Sequence, residues 1–305
     1  MGTWNLTLER QVAKDWVVRA SYVGNKASHL NGDYKADREF NPAIYGPGAT
    51  NLNTQQRRLY PDDFSTIGQV TSVNNSHHEA LQLNVERRFS HGLSLLANYT
   101  WSKTIDDINW TNPFDRKFDY GKSNDGIAHN FKLSNVWQIP SGNLSGVPAK
   151  VLGGWELNTI WAWRGGFPFS IYAGEDNSFT GVGKDRADFI GTSIPSVQLG
   201  SDRSHGAMIQ KWFDTSQFAP NAIGTFGNSG KNILRGPKFF NADFGLLKDT
   251  RVTEKTSVQF RAEFFNIFNN VNFGMPDGTV TSGTFGQIFS AGSPRILQFA
   301  LKFIF

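Results

Sequence analysis

Residues 80–103 read ALQLNVERRFSHGLSLLANYTWSK. In the first half, Leu81, Leu83 and Val85 alternate with Gln82, Asn84 and Glu86. In the second half, Leu93, Leu95, Ala97, Tyr99 and Trp101 take one face, and Ser94, Asn98, Thr100 and Ser102 take the other, with Leu96 as the exception. Successive side chains of a strand point to opposite faces, so a period of two marks strands with one apolar and one polar face. Ser90-His91-Gly92 supplies a tight turn between them. The stretch reads as a hairpin with arms of about ten residues, against a usual strand of about five or six.

The same period recurs along the chain. Trp4, Leu6 and Leu8 alternate with Asn5, Thr7 and Glu9, and Trp16–Gly24 follows with Trp16, Val18, Ala20 and Tyr22 on one side. His129–Ile139 carries Phe131, Leu133 and Trp137, and Trp155–Arg164 carries Trp155, Leu157, Trp161 and Trp163. Phe240–Lys248, Thr256–Asn266 and Arg295–Phe305 complete nine candidate strands. The links Gln11–Asp15, Ser90–Gly92, Pro140–Gly154 and Asp249–Glu254 are short, and every link between them is long. Long loops therefore emerge at one end and short turns at the other. A soluble Greek-key sandwich has no reason to sort its loops this way. A transmembrane β-barrel does, with strands of about ten residues, short periplasmic turns and longer extracellular loops.

The expected fold class is thus all-β, an antiparallel transmembrane β-barrel segment of nine long strands. In hydrocarbon every backbone N–H and C=O must be paired, which a sheet achieves by closing on itself. The apolar strand faces then meet lipid, and the Gln, Asn, Glu, Arg and Lys faces meet a wet lumen. Trp4, Trp16, Tyr22, Tyr99, Trp101, Trp137, Trp155 and Trp163, near strand ends, fit an interfacial girdle. Nine up-and-down strands begin and end in the same direction, whereas bacterial single-chain barrels use even numbers. With no secretory signal pattern after Met1, residues 1–305 are expected to be the C-terminal part of a larger barrel.

Composition agrees. Only 39% of the 305 residues are hydrophobic and 18% charged, with 26 Phe, 9 Trp and 31 Gly. Helical bundles and coiled coils need Ala, Glu, Lys and Leu in abundance, and the aromatic content argues against disorder. Absence of cysteine removes disulfide scaffolds, zinc fingers and a Cys nucleophile. The net charge of +4 is spread without like-charge blocks, so no nucleic-acid partner is expected. No segment approaches the ~20 apolar residues of a membrane helix.

Several stretches carry a family resemblance. Arg235-Gly236-Pro237, Phe239–Phe244, Arg251–Lys255 and above all Gln259–Asn269 (QFRAEFFNIFN) resemble the end of TonB-dependent receptor-like outer-membrane proteins of the OmpA-related, carboxypeptidase-regulatory-domain type. Tyr99–Lys103, His129-Asn130-Phe131, Gly154–Leu157 and Gly165–Phe169 extend the resemblance over most of the chain. The last strand, with Phe299, Leu301, Phe303 and Phe305 at alternate positions, is similar to the outer-membrane assembly signal read by the barrel-assembly machinery. The resemblance implies the cell outer membrane of a Gram-negative bacterium and a receptor that imports scarce solutes. It also implies a 22-stranded barrel, an N-terminal plug and a TonB-contacting segment. Neither of the last two has a match in residues 1–305. The implied partners are outer-membrane lipid, the barrel-assembly machinery, the TonB system through the missing N-terminal part, and an unidentified solute.

No enzyme chemistry is legible, and no cofactor is expected. His77-His78-Glu79 sends its histidines to opposite faces of a strand, which suits no single metal ion. Asp106-Asp107 and Asp176, Asp185 and Asp188 sit in long loops without EF-hand spacing, and read as solvated loop charge rather than calcium ligands. Ser204-His205 with Asp202 is no triad signal, since triads are geometric. Binding is expected in the long loops, which a scaffold holds out to solvent. Segments 34–60 and 167–218 are rich in aromatics, Asn and Asp, and Tyr45, Tyr60, Phe167, Phe169 and Tyr172 are the candidate ligand-contacting aromatics. The alternative reading is a secreted β-sandwich, carbohydrate-binding or glycoside-hydrolase-like, whose apolar strand faces would form a core between two sheets.

Overall fold

The computed structural model describes residues 1–32, 38–142, 145–200 and 202–305; Tyr34, at the start of the first expected binding loop, lies outside them. The nine long strands are β1 (Gly2–Ala13), β2 (Trp16–Leu30), β3 (Asn74–Ser90), β4 (Leu93–Asp106), β5 (His129–Gln138), β6 (Trp155–Arg164), β7 (Phe239–Arg251), β8 (Ser257–Phe265) and β9 (Ile296–Ile304). Each pairs antiparallel with its chain neighbours, in the order β1 to β9. The β3–β4 turn has the expected chemistry: His91 and Gly92 both take positive φ, 51° and 77°, the two left-handed residues of a tight hairpin.

The register aligns the faces. One continuous row runs from Trp16 to Arg87, Leu95, Asn135, Thr159, Phe244, Phe264 and Leu297. It starts at the short-turn end of β2 and finishes at the long-loop end of β8 and β9. That steady climb is the stagger of strands tilted in a barrel wall. All nine apolar faces fall on this same side, so Leu6, Tyr22, Leu81 and Trp101 adjoin in one row, and Leu8, Ala20, Leu83, Tyr99, Phe131, Trp163 and Phe240 in the next. The opposite side is polar, and its neighbours bond to one another. Arg19 donates to Glu9 at 2.7 Å, Asn84 to Asn98 at 2.7 Å and Gln259 to Asp249 at 2.9 Å.

Among the described residues no second sheet or helix layer covers the apolar side; Phe268 reaches back onto Trp161, Phe240 and Phe244 near the long-loop end. Leu83 is 39% exposed, Leu297 50% and Phe299 64%. The buried apolar residues within the strands are Ala27, Ala80, Ala242 and Ala262, each small enough to sink between larger neighbours. The sheet has one layer, which excludes the sandwich reading: a sandwich would bury these leucines and phenylalanines against a second sheet. Trp4, Trp101 and Trp163 lie toward the long-loop ends of their strands, and Trp16, Trp137 and Trp155 at the short-turn ends.

Midway along the apolar side, two polar residues of β5 and β6 stand opposite each other in the register. Thr159, which is buried, donates its hydroxyl to Asn135 Oδ1 and accepts the indole N–H of Trp161 at 3.0 Å. Thr159→Val orphans both partners, and is expected to cost about 1–3 kcal/mol. Thr159→Val with Asn135→Leu is expected to recover part of that loss. Denaturant unfolding of both variants in lipid vesicles checks this, and equal stability of the two would remove the assigned pairing.

Candidate functional site

The four long links, 31–73, 107–128, 165–238 and 266–295, all leave the same end of the sheet, and their described residues fold together into a cap. Most of the fully buried side chains are there. Ile171, Ala187, Val197, Phe213, Phe218 and Leu234 form its apolar centre, with Phe169, Phe189, Trp212 and Phe285 packed around them. Phe213 meets Phe285 edge-on at 5.3 Å and Phe218 at 6.0 Å.

Buried charges bind the loops to one another. Arg186 pairs with Asp119 at 2.6 Å, with side chains 3% and 1% exposed. The same guanidinium donates to the carbonyls of Ser229 and Phe118, and lies 3.8 Å from the centre of the Phe118 ring. Burial pushes the Arg186 guanidinium down and the adjacent Asp119 carboxylate draws it back up. Lys231 pairs with Asp106 and donates to the Ile108 carbonyl at 2.9 Å. Arg57 donates to the Phe179 carbonyl at 2.9 Å, and Trp212 N–H to the Gly286 carbonyl at 2.8 Å.

Three of the loop acids, Asp106, Asp107 and Asp185, are buried rather than solvated, contrary to the expectation from sequence, while Asp176 and Asp188 stay half-exposed. Asp106 and Asp107 are buried, Asp106 against Lys231 and Asp107 against Asn75 and Arg116. Asp176 accepts the Gly181 N–H at 2.7 Å, and Asp185 accepts the Ser178 N–H at 2.6 Å. Burial pushes the Asp185 carboxyl up, against the pull of its bonds to Ser178 and Asn221. Asp188 accepts backbone N–H groups of Ala222 and Asn228. These carboxylates are spent on stapling loop backbone, a use that spacing alone does not reveal. Among the described residues no three His, Asp or Glu side chains gather into a metal-binding group. His77 turns toward Glu79 at 2.9 Å and His78 toward Thr104 at 2.7 Å, on opposite faces of β3. Ser204 caps the short helix His205–Gln210, accepting the Ala207 N–H, and His205 packs edge-on against Phe273.

The five candidate aromatics fall in three places. Phe169 and Tyr172 share a hollow of about 320 Å3 with Asn124, Ser170, Asn232 and Met275. Its amides are locked, since Asn232 donates to Asn124 at 2.7 Å and to the Lys122 carbonyl at 2.7 Å. Phe167 instead supports the Arg164 guanidinium at 4.6 Å. Tyr45 lies against Gly224 and Phe179, and Tyr60 stacks on Phe40 at 6.2 Å, both on the first loop and half exposed. Sequence reasoning missed Asn124, Asn232 and Met275, which come from three different loops and carry no local signal. Phe299, Leu301, Phe303 and Phe305 lie exposed on the apolar side, and β9 pairs only with β8.

A protein-family model described as "Outer membrane beta barrel domain" matches residues 1–298. No curated protein matches the chain. Among solved structures, the chain is similar to the Ferric-Catecholate import receptor Fiu from K12 E. coli, at 12% identity and a TM-score of 0.48, covering 99% of this chain and 27% of that one. It is similar to the outer membrane transporter YddB from Escherichia coli, at 9% identity and a TM-score of 0.49, covering 99% and 32%. It is also similar to the ferripyoverdine receptor of the outer membrane of Pseudomonas aeruginosa, at 10% identity and a TM-score of 0.46, covering 99% and 27%. The chain spans about a third or less of the length of these solved proteins.

Proposed function

The chain belongs to the outer membrane beta barrel domain family, in the outer membrane of a Gram-negative bacterium, and from that premise we propose that it forms part of the wall of a TonB-dependent transporter. The observation that carries this reading is the single-layer sheet, apolar outside, polar inside and open at both edges. Among the described residues β1 pairs only with β2, and β9 only with β8. Unpaired N–H and C=O groups cost several kcal/mol each in hydrocarbon, so further strands of the same barrel would complete both edges. The resemblance of Gln259–Asn269 and the flanking stretches to TonB-dependent receptors supplies the class of barrel.

The inner side supports a filled lumen. Among the apolar residues on that side, Leu96, Val136 and Ile160 lie close together across β4 to β6, and Ile160 is 57% exposed. A plug domain seated against the wall would cover them. The cap offers the solute a rigid, aromatic and amide-lined rim at the extracellular end.

Solute depletion from a complex growth medium tests this reading, comparing cells with and without the intact gene, each with and without TonB. At least one solute is expected to disappear only when both are present. Depletion that needs the gene but survives loss of TonB would make the protein a passive pore.

A further inference from the structure

Residues 176–181 of the third long loop read DNSFTG, and Asp185 follows on the return. Asp, Ser and Thr stand at the first, third and fifth places with Gly at the sixth, the opening spacing of a calcium-binding loop. The acid of the twelfth place is missing, since Ala187 stands there. Gly181 turns the chain at a positive φ of 76°. The polar side chains converge on Ser178. Its Oγ lies 3.1 Å from Asp176 Oδ1 and 3.0 Å from Thr180 Oγ1, and its N–H donates to Asp185 Oδ2 at 2.6 Å. Asn221 joins from further along the same loop, presenting its amide to Asp185 with Nδ2 3.2 Å from Oδ2. Ser178, Thr180 and Asp185 are each 1% exposed, and Asn221 is 3% exposed.

The cluster holds more acceptors than protons. Asp185 Oδ2 is engaged, but Asp185 Oδ1 and Asn221 Oδ1 are buried with no hydrogen-bond partner among the described residues. Turning the Asn221 amide over does not help. Its Nδ2 also donates to the Thr225 carbonyl, so both contacts would become oxygen against oxygen. The two hydroxyls carry one proton each, and Asp176 Oδ1 lies within reach of both. Among the described residues neither Asp176 nor Asp185 is in an ion pair. Arg186, next to Asp185 in sequence, is taken by Asp119, and Arg58, lying over Gly181, leans on Glu39 at 3.9 Å. Burial, and with it the charge of Asp176, push the Asp185 carboxyl up, the direction expected where carboxylates meet without a cation.

Buried acceptors without donors call for a positive ion. A donor set of oxygens alone, with no nitrogen or sulfur, suits a hard one. Magnesium demands a near-ideal octahedron and keeps its waters, whereas calcium accepts carboxylate and amide oxygens in irregular array. We propose that Asp176, Asp185 and Asn221, with the hydroxyls of Ser178 and Thr180, hold a calcium ion within the third long loop. The site is independent of whether the barrel transports anything.

The test uses the full chain in neutral alkyl-maltoside micelles, with calcium chloride or magnesium chloride as the sole divalent salt. Equilibrium dialysis reads the ion retained, and amide hydrogen exchange reads the loop. One calcium per chain is expected to be retained, with a dissociation constant of about 10⁻⁴–10⁻³ M, the range of extracellular modules. Exchange across 176–186 and 221–225 is expected to slow in millimolar calcium and not in millimolar magnesium. Asp185→Asn is expected to weaken calcium retention by about tenfold or more. The new amide supplies the donor that the cluster lacks, so the fold persists, which unchanged exchange across β3 to β6 verifies. Asp62→Asn with Asp63→Asn, exposed on the first long loop, leaves retention unchanged. No calcium retained by the unaltered chain overturns the proposal, and gives the two orphaned oxygens to a buried water or a proton. Undiminished retention by Asp185→Asn, loss of retention in the Asp62 and Asp63 variant, or equal slowing by magnesium overturns it too.

Discussion

Leu83→Arg is expected to destabilise the sheet in a bilayer by about 2–4 kcal/mol, while Gln82→Arg, one residue away, shifts it by less than about 1 kcal/mol. The two positions share a strand, a depth and a backbone environment. They differ in face alone. Leu83 sits between Ala20 and Tyr99 on the side no protein covers, so a guanidinium there must be stripped of water or drag the membrane inward. Gln82 sits between Ser21 and Thr100 on the polar side, where a guanidinium stays hydrated. The measurement is urea unfolding from phospholipid vesicles, followed by tryptophan emission. Equal effects at both positions would mean that the apolar side does not face lipid. A larger effect at Gln82 would mean that the sides are reversed.

Arg186→Ala is expected to loosen the cap by about 3–5 kcal/mol, because it leaves Asp119 charged and buried without its partner. Arg186→Met combined with Asp119→Asn removes both charges and is expected to lose less than the single change. The sheet stands apart from this pair, so the loss is confined to the cap. Amide hydrogen exchange should accelerate across 165–238 and 107–128 while β3 to β6 keep their protection. Unchanged exchange in the Arg186→Ala protein would show that the loops hold together without this pair. Loss of protection in the strands as well would show that cap and wall unfold as one unit.

The wall was legible and the cap was not, for one physical reason. Where a strand crosses hydrocarbon, lipid demands an apolar residue at every second position, and the demand is written locally. Trp155–Arg164 accordingly has the ends its alternation indicates. Trp16–Gly24 was read short. β2 continues to Leu30 through Asn25, Lys26, Ser28 and His29, where the chain has left the belt and pairing with β3, and with β1 as far as Lys26, holds it extended. The cap obeys no period: Ile171, Phe213 and Leu234 meet across long stretches of chain. The aspartates that looked like surface charge turn out to hold buried lysine, arginine and backbone N–H groups. The helix Gly146–Leu152, in a link expected to be a plain turn, was equally silent.

The strictly sequential strand order also bears on how the molecule comes together. Each strand pairs only with its neighbours in sequence among the long strands described, so every contact of the wall is short in range. The clamps above it close far larger circuits: Lys231 and Asp106 are 125 residues apart, and Arg186 and Asp119 are 67 apart. Closing a circuit costs more entropy the longer it is, and distant contacts form later. Asp106 and Asp119 are therefore expected to meet their cations later than neighbouring strands meet one another. The rim is expected to set after the wall beneath it.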